Sequence, residues 1–150
     1  MSTVSNPRPT HDRREMVMIS VLIEHPTEGL VLFEVGPGKN YPDVWGPQMC
    51  DVFARIDYAS DQELDAQIAK TGHSIKDVKA VIMGHLHLDH AGGLDFFKGT
   101  DVPIYVHEEE LKNAFYSVAT KSDIGKPSCF TYALLLAYFT SIKPLFRKRY

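Results

Sequence analysis

The stretch GHLHLDHAGG, residues 84–93, places His85, His87, Asp89 and His90 within six consecutive positions. It follows directly on VKAVIM, Val78–Met83, which the apolar content marks as a short buried strand. Imidazole and carboxylate are ligands that borderline metals such as zinc accept. In an extended segment, residues two apart project to the same side, so His85 and His87 can grip one metal together. Asp89 and His90 come where the chain bends toward Gly92, free to point at a second metal beside the first. Leu86 and Leu88 are then expected to face inward and anchor the loop to the core. Small Ala91, Gly92 and Gly93 let another stretch of backbone pass close by. The bland alternative is a chance run of surface histidines with an N-capping Asp, and the position right after a buried strand weighs against it.

The surrounding pattern predicts an α/β chain. Met16–Glu24, MVMISVLIE, reads as a strand buried on both faces, and Leu30–Val35 as the return strand of a hairpin. Gly36–Pro47, dense in Gly and Pro, reads as a loop carrying Tyr41 and Trp45. Met49–Tyr58 is ambiguous. Ser60 with Glu63 fits a capping box ahead of a helix, DQELDAQIAKT, which Gly72 stops. After the cluster, Gly92 and Gly93 lead into a short helix over Leu94–Lys98. Val102–Val106 reads as a strand. Glu108–Thr120 reads as a helix with three acids in its first turn and an apolar face of Leu111, Ala114, Phe115 and Val118.

Composition limits the function classes. A length of 150 residues predicts one domain with a real core. The net charge of −3 gives no electrostatic case for nucleic acid. Cys50 and Cys129 make neither a disulfide framework nor a zinc knuckle. The N-terminus, residues 1–15, is polar with no signal peptide and reads as a flexible lead-in to a cytoplasmic protein. The apolar run Phe130–Ile142 falls short of the ~20 residues of a membrane span, so membrane attachment is disfavoured. Oligomeric state is left open.

Three stretches carry a resemblance: LFEVGPG at the hairpin's end, TGHSIKDVKAVIMGHLHLDHAGGL, and VPIYVHEEE. Together they resemble the metallo-β-lactamase superfamily, and within it the N-acyl-homoserine lactonase-like, quorum-quenching branch, over residues 16–125. The resemblance implies an αββα sandwich with two zinc ions at one edge. It assigns His85 and His87 to the first metal and Asp89 and His90 to the second, with Asp89 also holding the bridging hydroxide. Two zinc ions lower the pKa of a shared water to near neutrality, and the hydroxide attacks a carbonyl carbon. The implied activity is opening of a small lactone, or a related lactam or cyclic carbamate. Thioester hydrolysis of the glyoxalase II type on the same fold is the alternative. A non-catalytic truncated paralogue is another. Tyr41 and Trp45 are candidates to cover the substrate's apolar portion, although such aromatics more often pack a loop down. Glu34 reads as structural or as support behind a ligand. His107, before EEEL, reads as a helix N-terminus residue and His73 as a surface residue.

The family draws further ligands from later motifs: a third histidine, a bridging Asp and another His. Residues 126–150 contain no His, Asp, Glu or Gly and hold five basic residues. The expectation is therefore a sandwich truncated to its N-terminal half, with residues 126–150 an atypical apolar and basic tail. Such a chain should bind metal weakly, turn over poorly and expose an apolar sheet face. Gly125–Lys126 can be encoded GGTAAG, which contains a splice-donor sequence, so the tail reads as a retained intron. A frameshift or a naturally short paralogue would explain it as well. Genomic sequence past codon 125 tests this: a donor followed by a frame encoding His, Asp and His is expected, and an uninterrupted frame with no donor would contradict it.

Overall fold

The structure is a computed structural model, and it describes residues 15–40, 43, 45, 47, 50, 51, 55, 58–120 and 142–145. Five strands form one mixed sheet in the order β1-β2-β3-β4-β5: β1 Val21–His25, β2 Gly29–Phe33, β3 Val78–Met83, β4 Ile104–His107 and β5 Ile142–Leu145. β1 and β2 are an antiparallel hairpin, and every later pair is parallel. Among the described residues, α1 Leu64–Lys70, the single turn α2 Leu88–Ala91 and α3 Glu108–Thr120 lie between strands.

Because each parallel step moves the same way along the sheet, right-handed crossovers put the helices on one face. That face is the core. Leu32 pairs across to Val81 and Val81 to Ile104, and Met83 pairs with Val106. All are buried, together with Ile68 of α1, Leu94 and Phe97 after α2, and Ala114 of α3. The opposite face carries Val21 against Phe33, Ile23 against Val31, and Ile82 against Tyr105. Val21, Ile23 and Phe33 are exposed. The side expected to be apolar and open is therefore apolar and open among the described residues.

The β3 and α3 expectations hold to the residue. Several others shift. Of the Met16–Glu24 run only the residues from Val21 on are strand, in β1, which is exposed rather than buried on both faces because it lies at the edge of the sheet with a single neighbour. β2 ends at Phe33, since Glu34 adopts a left-handed φ of 62°. Asp43, Trp45 and Pro47 are helical within the span read as a loop, and Trp45 is buried at 3% exposure. Tyr41 lies outside the described residues, as do most of residues 1–15 and 126–150. The strand of the tail that is described, β5, pairs with β4.

The capping box also moves. Ser60–Gln62 forms a 3-10 turn in which the Gln62 side chain accepts from Ala59 N at 2.9 Å. Glu63 is extended, so α1 starts only at Leu64. The capping box whose hydrogen bonds form at its Ser instead joins Ser74 and Asp77: Asp77 Oδ2 accepts from Ser74 N at 2.9 Å, and Ser74 Oγ accepts from Lys76 N at 3.2 Å. It sets the entry to β3. Gly92–Phe97 forms 3-10 turns in place of the helix over Leu94–Lys98. β4 begins at Ile104, not Val102. On α3, Phe115 is 57% exposed while Ser117 is buried, so the packed stripe is rotated toward Leu111, Ala114, Ser117 and Val118.

One close approach sets the geometry of the β3 end. Past β2, residues 34–38 run against residues 90–93: Val35 N donates to His90 O at 3.0 Å, and Gly93 N donates to Gly36 O at 2.9 Å. A Cβ on Gly92 would lie 2.1 Å from Pro37 O, and one on Gly93 2.1 Å from Val35 O. Neither contact is tolerable, so Gly93→Ala should cost at least about 3 kcal/mol. Gly72→Ala, with φ 89° and open space around it, should cost only about 1 kcal/mol of backbone strain. Urea unfolding midpoints measure both, and equal losses would contradict the packing of this loop pair.

Candidate functional site

The site is built where β3 ends. β3 delivers Gly84 and His85 to the edge of the sheet. Leu86 and Leu88, both fully buried, pin the loop into the core as expected. His87 then starts α2: its carbonyl accepts from His90 N at 3.0 Å and from Ala91 N at 2.8 Å. That single helical turn swings His90 back over His85. The ring centroids of His85 and His90 are 3.8 Å apart, and those of His85 and His87 are 5.1 Å apart and edge-on. Asp89 Oδ2 lies 3.4 Å from His90 Nε2.

All four residues expected from the sequence are thus neighbours. His85 stands nearer to His90 than to His87, across the division into two pairs. The structure adds Glu34. Its left-handed backbone turns the side chain into the site, where it is only 5% exposed. Glu34 Oε1 accepts from Gly84 N at 2.8 Å. Oε2 lies 3.3 Å from His90 Nδ1. One donor atom each from Glu34, His85 and His90 lie within 4.8 Å of one another. Imidazoles and a carboxylate converging on one point make a candidate cation site.

Electrostatics agree with that. Burial pushes the Glu34 carboxyl above its ordinary value, opposed by the Gly84 N–H and by His90. Burial also holds His85 below its ordinary value, and charge on His90 or His87 pushes the same way. The site therefore favours neutral His85, the form that can ligate a metal.

Glu110 was not legible as a site residue. It reads as one of three acids completing a helix dipole, yet its Oε1 accepts from Leu86 N at 2.8 Å and so ties α3 to the histidine loop. The signal available was its half-turn offset from Glu108, which no spacing rule singles out. His107 is a helix N-terminus residue as expected, with Nδ1 accepting from Glu109 N at 3.2 Å. His73 pairs with Glu24 at 2.8 Å, away from the cluster. Trp45 is buried rather than an exposed cover.

The sequence model of the metallo-beta-lactamase superfamily matches residues 20–135. The N-acyl homoserine lactonase AiiB of Agrobacterium fabrum (strain C58) is 28% identical over 123 residues, covering 78% of this chain and 43% of AiiB. Among solved structures, a B. thuringiensis AiiA variant with N-decanoyl-L-homoserine bound at its active site gives a TM-score of 0.59 at 19% identity, covering 87% of this chain and 49% of that one. An N-acyl homoserine lactone hydrolase with the product N-hexanoyl-L-homoserine at its catalytic metal center gives 0.58 at 20% identity, with the same 87% and 49% covered. The chain thus spans about half the length, or less, of the relatives it matches. The structural likenesses show a shared fold, the mixed α/β arrangement of that superfamily.

Two outcomes follow for the metal-free chain. Glu110→Ala leaves Leu86 N without its acceptor and should cost about 1.5 kcal/mol in urea unfolding. His85, with a folded pKa below 6.5, contributes stability that is full above that value and is lost as pH falls through it. The unfolding midpoint should drop as pH falls below 6.5, and His85→Ala should flatten part of that slope. An unchanged slope would contradict a half-buried, neutral His85.

Proposed function

The chain belongs to the metallo-beta-lactamase superfamily, and from that premise we propose that its histidine cluster serves a zinc-dependent hydrolase that opens a small lactone, or a related lactam or cyclic carbamate. The observation that carries the reading is the convergence of His85, His90 and Glu34 at the end of β3, with His87 and Asp89 beside them. The lactone is favoured because the relatives named above act on homoserine lactones, and the similarity to AiiB spans 78% of this chain.

His85, His87, Asp89 and His90 are the proposed zinc ligands. Bound zinc supplies Lewis acidity and a water that ionises near neutrality. The protein's own part is placement. Leu86 and Leu88 fix the loop, so the ligand rings lose little freedom on binding. Asp89, whose carboxylate is only partly buried, is the residue proposed to accept a hydrogen bond from the attacking water. Gly92 and Gly93 hold the residue 34–38 loop against the site. Tyr41 and Trp45 are proposed on the apolar side of the substrate, Trp45 as a fixed wall.

The test combines zinc titration of residues 1–150 with a panel of an N-acyl homoserine lactone, a β-lactam and a thioester. Lactone opening should be slow but the fastest of the three. It should stop on chelation and return with zinc. His85→Ala should lower it more than the ~100-fold that loss of a residue behind a ligand costs. A thioester preference would replace the substrate class with the glyoxalase II type. Zinc bound with no turnover of any substrate would favour a non-catalytic paralogue, and no zinc bound would contradict the reading altogether.

A further inference from the structure

The backbone between the first two histidines is held from α3. Leu86 lies between His85 and His87, and its side chain is fully buried in the core. Its N–H donates to Glu110 Oε1 at 2.8 Å. One residue is therefore anchored twice, by packing at its side chain and by a carboxylate at its backbone. The two other acids of that helical turn serve their own helix. Glu108 and Glu109 both pair with Lys112, at 2.8 and 3.1 Å. Glu110 reaches the histidine loop instead.

The register of the sheet makes that contact available. β3 and β4 run parallel, with Met83 opposite Val106. Leu86 comes three residues past Met83 and Glu110 four past Val106, so the two lie on neighbouring chains leaving the sheet at the same edge. Leu111, next in sequence, and Ala114, one turn on, pack in the core, which keeps α3 from turning Glu110 away. Two imidazoles on either side of one residue keep their relative direction only while the torsions at that residue are fixed. The Glu110 charge also reaches the first of them: burial holds His85 below its ordinary value, and Glu110 is among the groups that work against it. Hydrogen bond and charge are therefore two separable contributions of one side chain.

We propose that Glu110 is a positioning residue for the metal site: its hydrogen bond to the Leu86 N–H holds His85 and His87 in the orientation that binds zinc. The proposal rests on the reading that the cluster binds zinc, and it brings α3 into the site. Glu110 touches neither metal nor substrate. What it supplies is order. Without the bond the Leu86 N–H turns to another acceptor, and the two rings lose their common direction before a metal arrives. Hydrogen bonds behind metal ligands contribute about 10- to 100-fold to affinity. Here the bond acts on the backbone joining two ligands, so its loss disturbs both.

The test uses the full chain with zinc alone, titrated in competition with a chelator. Glu110→Ala should bind zinc about 10- to 100-fold more weakly. Glu110→Gln keeps an oxygen acceptor at the same reach and should restore native affinity. Glu110→Asp keeps the charge but ends one methylene short of Leu86 N, and should fall with Glu110→Ala. Glu109→Ala removes a neighbouring charge and should change nothing. Ile68→Val trims one buried methyl from α1: it should lower the urea midpoint of the metal-free chain without weakening zinc. If Glu110→Ala does not fold, Glu110→Asp and Glu110→Gln decide in its place. Native affinity in Glu110→Ala or Glu110→Asp would overturn the inference. So would a Glu110→Gln variant as weak as Glu110→Asp, or an equal loss in Glu109→Ala, either of which would assign the effect to charge. An equal loss in Ile68→Val would assign it to stability and overturn it too. Each of these leaves the metallohydrolase reading intact, because the native chain still binds zinc. Failure of the native chain to bind zinc would overturn both.

Discussion

The site depends on a close backbone approach before it depends on any ligand. Residues 34–38 and 90–93 lie so near each other that neither Gly92 nor Gly93 could carry a side chain. The approach is secured by hydrogen bonds from Val35 N to His90 O and from Gly93 N to Gly36 O. Those bonds fix the turn that carries His90 and place it beside the end of β2. Without them, Glu34 and His90 would belong to separate loops, and the cluster would be a run of histidines with nothing opposite.

That approach also concentrates an electrostatic conflict. Three imidazoles and a buried carboxylate share a few ångströms at the edge of the sheet, and burial disfavours charge on the Glu34 carboxyl and on His85. The core absorbs the anchoring cost: Leu86 and Leu88 are buried, and Glu110 satisfies the Leu86 N–H from α3. The result is a cluster held in place by packing, of the kind a metal site needs before the metal arrives.

Much of this was legible because it is local. VKAVIM is an apolar run of strand length, and Glu108–Thr120 is a capped, periodic helix, so both were read to the residue. The histidine spacing named four ligands because chemistry at short range needs few assumptions. What failed was tertiary. MVMISVLIE has the composition of a buried strand, but its place at the sheet edge leaves Val21 and Ile23 exposed. Phe115 looks like core until the turn of α3 is known. Glu34 reads as structural or as support behind a ligand, which its place 3.3 Å from His90 Nδ1 agrees with, although nothing in LFEVGPG shows that its backbone turns left-handed to get there. Glu110 was hidden among three adjacent acids.

The relatives this chain matches are about twice its length, and the open face of the sheet, with Val21, Ile23 and Phe33 exposed, lies on the side away from the helices. The histidine end of β3 is nevertheless complete enough to judge by itself. The most direct measurement is a long-range ¹H–¹⁵N spectrum of the histidine rings, recorded as zinc is added to the metal-free chain. A preformed metal site predicts that the rings of His85, His87 and His90 move, with their non-protonated nitrogens shifting to metal-bound positions, while His25, His73 and His107 stay unchanged. Shifts spread evenly over all the histidines, or confined to His25, His73 and His107, would contradict it.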